Sequence, residues 1–244
     1  MKMKMSIRAF LISLSLISCI NSAAQPGLTI YTDIGSNNVS HGLFIKSSAI
    51  GKYKFGKNIL EAGFQTNLKN YNKPGFSGYT INASRNFAIK RISLGIQGFY
   101  VSIISSELIR ESNLGGFVDM KLNHFEMKLG VNFRTYAFRP ETISEYAINK
   151  NYTKLHETGN LMYSFTYNLK PQDYRCNAGL SVTNTDYFNI NQETNPMFNL
   201  HGSYKLKSPI RLFAQAWYEI AGASNLEVNY FGFYIRTGLI WNIN

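Results

Sequence analysis

Gly159-Asn160-Leu161-Met162-Tyr163-Ser164-Phe165-Thr166-Tyr167-Asn168-Leu169 alternates almost without interruption. Leu161, Tyr163, Phe165, Tyr167 and Leu169 fall on one parity, and Asn160, Ser164, Thr166 and Asn168 on the other. Side chains of a β-strand point to opposite faces with a period of two, so this segment reads as a strand with one apolar and one polar face. The stretch Val228 to Ile243 repeats the pattern, with Phe231, Phe233, Ile235, Leu239 and Trp241 on one parity.

Working outward, twelve strands are predicted near 28–34, 39–53, 59–69, 76–86, 91–103, 113–122, 126–138, 159–169, 174–184, 197–206, 211–221 and 228–243. The even-numbered connections, 54–58, 87–90, 123–125, 170–173 and 207–210, are short. Among the odd-numbered ones, 104–112, 139–158 and 185–196 are long. This sorting fits a membrane barrel with both termini in the periplasm, short turns there and longer loops outside. Pro26, Pro74, Pro140, Pro171, Pro196 and Pro209 all avoid strand interiors, where a missing N–H would break the ladder.

The apolar parity continues through Leu60, Ala62, Phe64 and Leu68, through Met127, Leu129, Val131 and Phe133, and through Cys176, Ala178, Leu180 and Val182. The 17 Phe and 16 Tyr suit aromatic girdles at the two membrane interfaces. In hydrocarbon every backbone polar group must be paired, so a spanning sheet has to close on itself. The expected fold is therefore all-β: a closed antiparallel transmembrane β-barrel of about twelve strands, or ten if 28–34 and one weak segment fail. In 39–53, Phe44 and Ile50 lie on one parity and Leu43, Ile45 and Ala49 on the other, which suggests a bulge or a strand running beyond the membrane. In 211–221, Phe213 and Trp217 share the polar parity with Arg211, Gln215 and Glu219 and are read as filling the lumen, with the opposite register as the alternative.

The chain resembles bacterial outer-membrane barrel proteins as a class. Its last strand is similar to the C-terminal strand that the barrel insertion machinery recognises, but it ends in Asn244 in place of an aromatic residue. The resemblance implies residence in the outer membrane, with outer-membrane lipid and the insertion machinery as partners.

The N-terminus fits export. Lys2, Lys4 and Arg8 form a basic region, Phe10 to Ile20 an apolar one too short to span a bilayer, and Ser22-Ala23-Ala24 a small-residue cleavage site. Residues 1–24 are expected to be a signal peptide and 25–244 the barrel domain. Leu16-Ile17-Ser18-Cys19 offers the alternative of a lipid anchor on Cys19. Cleavage after Ala24 leaves 220 residues with a net charge of +8 and Cys176 as the lone cysteine, so no internal disulfide is expected.

The lumen parity carries the charge: Glu61, Asp119, Lys121, Lys128, Arg134, Arg175, Lys205, Arg211, Glu219 and Arg236. Two readings stand side by side. Unpaired Arg and Lys would bias a narrow channel toward small anionic solutes; mutually paired charges would plug the interior and leave an interaction scaffold or adhesin for an envelope protein partner. A third reading takes His201 and Ser203, two residues apart on one strand face, as a base and nucleophile of an acyl hydrolase. It is disfavoured, because the pair falls on the lumen parity and no third residue orients His201. Asp186, Asn189, Asn191 and Glu193 carry oxygens suited to Ca²⁺ but do not match a calcium-loop pattern, and the 139–158 loop is long enough for a constriction or a receptor surface. His41, His124, His156 and His201 lack metal-ligand spacing. No cofactor and no nucleic-acid partner are expected.

Overall fold

The computed structural model describes residues 24–37, 42–69, 75–89, 92–105, 108–146, 148, 154–170, 175–188, 196–206, 209–221 and 230–243. Residues 1–23, with the signal segment and Cys19, lie outside it, as do His41, Asn189, Asn191 and Glu193.

Twelve antiparallel strands close into one barrel. They are β1 (Ala24–Asn37), β2 (Leu43–Phe55), β3 (Asn58–Lys69), β4 (Gly75–Ile89), β5 (Ile92–Ile104) and β6 (Ile109–Leu122). The circuit continues with β7 (Phe125–Phe138), β8 (Lys154–Asn168), β9 (Cys176–Thr183), β10 (Met197–Lys205), β11 (Ile210–Ala221) and β12 (Tyr230–Asn242). Each strand pairs with its sequence neighbours, and β1 pairs with β12 to shut the ring, with Asp33 opposite Arg236. A short helix, α1 (Pro140–Glu145), follows β7.

All twelve strands expected from the sequence are present. The segment 28–34, the one most open to doubt, belongs to a 14-residue strand that carries the closing seam. Two expected loops are shorter than the sequence suggested. β6 begins at Ile109, which leaves residues 105–108 as its connection, and β8 begins at Lys154, which takes His156 and Glu157 out of the preceding loop. Conversely, the β8–β9 connection is 169–175, longer than expected. The two-residue connections 56–57 and 123–124 place Gly56 at φ 59° and Asn123 at φ 51°. Tight hairpins need left-handed backbone at such positions, and Gly and Asn accept it at least cost.

The outer face is apolar. Ile30, Phe64, Ile96, Val118, Val131, Leu161, Phe165, Leu180, Leu200 and Ile235 are all exposed there. An uninterrupted apolar belt around a closed sheet has lipid as its natural solvent. No helix among the described residues is long and apolar enough to cross a membrane, and the strands do the crossing. The mixed parity of 39–53 resolves in the register. Phe44, Lys46, Ser48, Ile50 and Lys52 face inward, because Lys46 and Ser48 lie opposite the inward-facing Asp33 and Tyr31. Register shifts near Lys46, Thr66 and Ala137 mark bulges, all toward the long-loop end.

The belt yields a prediction. Val131→Arg should destabilise the inserted barrel by about 2–4 kcal/mol in urea titrations from lipid vesicles, as expected for a cation near the bilayer midplane. The same change at inward-facing Thr166 should cost far less; equal costs would mean that the belt is misassigned.

Candidate functional site: a latched lumen with a basic chamber

The interior toward the long-loop end is filled. Phe44, Met197, Trp217 and Tyr234 form one buried cluster, and Phe99, Val101, Phe117 and Met162 another. Trp217 stacks on Tyr234, with ring centroids 5.8 Å apart and planes 10° apart. Phe213 also faces inward, edge-on to Tyr31 at 6.5 Å. The reading of 211–221 with its aromatic residues inside is therefore the observed register.

At mid-height the chain after β9 turns into the barrel. Phe188 is buried against Tyr31 and Ile50. Asp186 reaches Arg236, accepting hydrogen bonds from Nη1 at 3.0 Å and Nη2 at 2.6 Å. The same guanidinium donates from Nε and Nη2 to the two Asp33 carboxylate oxygens at 2.7 and 3.1 Å. Its carbon stands 4.0 Å from the centroid of the Tyr31 ring. One arginine thus clamps two carboxylates in forked geometry, the arrangement in which a guanidinium binds most specifically. The side chains of the 185–196 segment carry oxygens suited to Ca²⁺ without matching a calcium-loop pattern. Its described part instead folds inward, and the Asp186 carboxylate is committed to Arg236 because the buried guanidinium needs a second partner.

The expected lumen residues divide into groups. Lys128 pairs with Glu126 at 3.5 Å, and Lys121 reaches the same carboxylate at 3.2 Å. Arg134 pairs with Glu111 at 3.1 Å and donates to Asn113 at 3.2 Å. Glu219 is buried inside the barrel, on the same face of β11 as Gln215 and Trp217. Arg175 departs from expectation. It is exposed at the short-turn end with its guanidinium 5.1 Å from the outward-facing Tyr204 ring, drawn away from the lumen by cation–π attraction. Lys205, Arg211 and Arg236 converge on one cavity of about 790 Å³ that opens among the strand ends and short turns.

Sequence reasoning missed Lys52 and Lys54, which line the same cavity. The signal was present: Lys46, Lys52 and Lys54 share a parity. Among the described residues Asp186 is the one acidic side chain bordering this cavity, and Arg236 already holds it. Lys52, Lys54 and Lys205 make no ion pair within the described residues. A second cavity of about 290 Å³ lies along the opposite wall and carries Glu61, Asp119 and Glu126 together with Lys121 and Lys128. Asp186 and Tyr187 border both, so the inward segment stands between a basic chamber and one of mixed charge.

His201 and Ser203 both border the basic chamber, away from lipid. His201 Nε2 meets Asn168 Oδ1 at 3.0 Å, and Ser203 Oγ accepts from Arg211 at 3.0 Å. No hydrogen bond joins the two among the described residues.

No family model matches the sequence, and no curated protein matches it. Solved structures do. The KdgM porin, in complex with disordered oligogalacturonate, aligns with a TM-score of 0.51 at 10% identity over 88% of this chain and 99% of that one. The COG4313 outer-membrane channel from Pseudomonas putida F1 aligns with a TM-score of 0.50 at 10% identity over 89% and 95%. The chain shares the closed β-barrel fold of these outer-membrane proteins. Outer membrane phospholipase A from Escherichia coli aligns less well, with a TM-score of 0.42 at 9% identity over 90% and 96%. Likenesses at this identity establish the fold alone.

The clamp has a measurable weight. Arg236→Met would leave two buried carboxylates facing each other and should destabilise the barrel by about 3–5 kcal/mol. Replacing Asp33 and Asp186 by Asn as well should restore most of that loss. Trp217, 5.7 Å from the guanidinium, supplies a fluorescence signal for the unfolding titration.

Proposed function

We propose that this barrel is a narrow, loop-latched channel for small solutes, favouring anions. The observation that carries the reading is the basic chamber: Lys52, Lys54, Lys205 and Arg211 face one water-accessible cavity, and among the described residues the one acidic side chain on it, Asp186, is paired with Arg236. Clustered lysines and arginines in a low-dielectric lumen raise the local anion concentration and repel cations. The fold shared with the KdgM and COG4313 channels agrees with a transport role. In the latched state the path is closed by the segment around Asp186 and by the aromatic filling beyond it. Release of Asp186 frees the inward segment, and the aromatic side chains beyond it must part as well for the path to open. Asp186 is expendable to the scaffold, because its loss leaves Arg236 and Asp33 as a neutral pair.

The filled outer half favours a second reading, a non-conducting scaffold that binds an envelope partner through its outer loops. Planar-bilayer recordings separate the two. Asp186→Ala should raise open probability or unitary conductance several-fold, with a reversal potential displaced toward the anion side in a salt gradient. Lys205→Glu combined with Arg211→Glu should move that potential toward cations. An Asp186→Ala barrel that inserts and stays silent would discard the channel in favour of the scaffold.

A further inference from the structure

The outer face of the wall carries a polar ladder on β4, β5 and β6, toward the long loops. Arg110, Ser112, Leu114 and Val118 share one parity of β6, and Leu114 and Val118 are exposed in the apolar belt, so all four face outward. Ser112 lies opposite Ser102 of β5, which in turn lies opposite Tyr79 of β4. Tyr100 lies opposite Leu114 and the exposed Ile81, and its hydroxyl reaches up the wall to donate to Ser112 Oγ at 3.3 Å. The Tyr79 and Tyr100 rings stand 5.8 Å apart. Above these hydroxyls comes Arg110, the second residue of its strand, near enough for its charge to act on both phenols.

Arg110 has no counter-charge. Among the described residues it makes no ion pair and no hydrogen bond. Its neighbour Glu111 has the inward parity and is held by Arg134. Glu157, opposite Thr135 on the outward face, is held by Lys154. A guanidinium binds phosphate as it binds carboxylate, through forked, charge-assisted hydrogen bonds. Ser112 Oγ already accepts from Tyr100, so its own proton is left for an acceptor. The oxygens of an ionised phosphate are acceptors and match both donors. Below them Ile81, Leu114 and Val118 offer apolar surface to the chains of the same molecule. Tyrosines alone at this level make an interfacial girdle; the uncompensated arginine above them adds selection by charge. We propose that Arg110, with the Ser112 hydroxyl and the Tyr79–Tyr100 pair, forms a site for the phosphate group of an outer-leaflet lipid. The site lies on the outside of the wall and stands whether or not the lumen conducts.

Lipid titration of the full protein in detergent micelles, read by native mass spectrometry, tests this with two probes: lipid A carrying its phosphates and the same lipid A with the phosphates removed. The phosphorylated lipid should bind about tenfold or more tightly, the weight of hydrogen bonds to a charged group. Arg110→Gln should abolish most of that preference, and Arg110→Lys, which keeps the charge and loses the fork, should retain part of it. Tyr100→Phe should weaken the phosphorylated lipid by a smaller factor. Lys154→Gln, which removes a cation of the same rim already held by Glu157, should change nothing. Equal binding of the two lipids by the unmodified protein would overturn the inference whether or not any variant folds. A loss in Lys154→Gln as large as in Arg110→Gln would overturn it as well, because it would mean diffuse attraction to a basic rim. Displacement of the lipid by millimolar inorganic phosphate would take the site away from lipid and give it to the free anion.

Discussion

Arg236 holds this structure at the point where closure of the sheet and closure of the lumen coincide. Its partner Asp33 is 203 residues away in sequence and meets it across the β1–β12 seam. Its other partner, Asp186, comes from the segment that turns inward after β9. Three charges buried together are expensive to desolvate, and such a group persists only when its hydrogen bonds are well made. Here four N–H···O contacts of 3.1 Å or less and the Tyr31 ring at 4.0 Å surround one guanidinium. Loss of either carboxylate therefore has different consequences. Asp33 belongs to the wall, and Asp186 to the part that can leave.

The clamp also organises the interior. Beyond it, toward the long loops, aromatic and aliphatic side chains fill the barrel, and Arg134 with Glu111 and the Asn113–Asn132 pair complete that layer. On the short-turn side the lumen is open and divided, basic along β2, β10 and β11 and of mixed charge along β3, β6 and β7. A barrel of this size stands between those that side chains fill and those that hold a water channel. This one does both, in different halves. Features of both sequence-based alternatives, paired charges and a basic chamber, thus occur in different layers of one molecule.

Much of this was legible in the chain. The alternation in 159–169 fixes both faces of β8, and the sorting of short and long connections places both termini at one end. Trp217 and Phe213 could be assigned inward because they share a parity with Arg211 and Glu219. What escaped has physical reasons. In 39–53 the inward face mixes Ile50 and Phe44 with Lys46 and Lys52, so hydrophobicity alone gives no orientation and only pairing to Asp33 does. Arg175 has the inward parity yet sits at a strand end, where a long side chain can turn outward onto Tyr204. The Arg236–Asp33–Asp186 group joins residues whose proximity depends on ring closure and on a loop's direction, neither of which is written in local pattern.

Amide hydrogen exchange across residues 184–188 tests the central claim most directly, that this segment is held inside the lumen by Arg236. The account predicts protection there approaching that of neighbouring strands. It also predicts selective loss of that protection in Arg236→Lys, whose single ammonium cannot fork to both carboxylates, while β12 stays protected. Fast exchange of 184–188 in the unmodified barrel, or protection indifferent to the lysine, would contradict it.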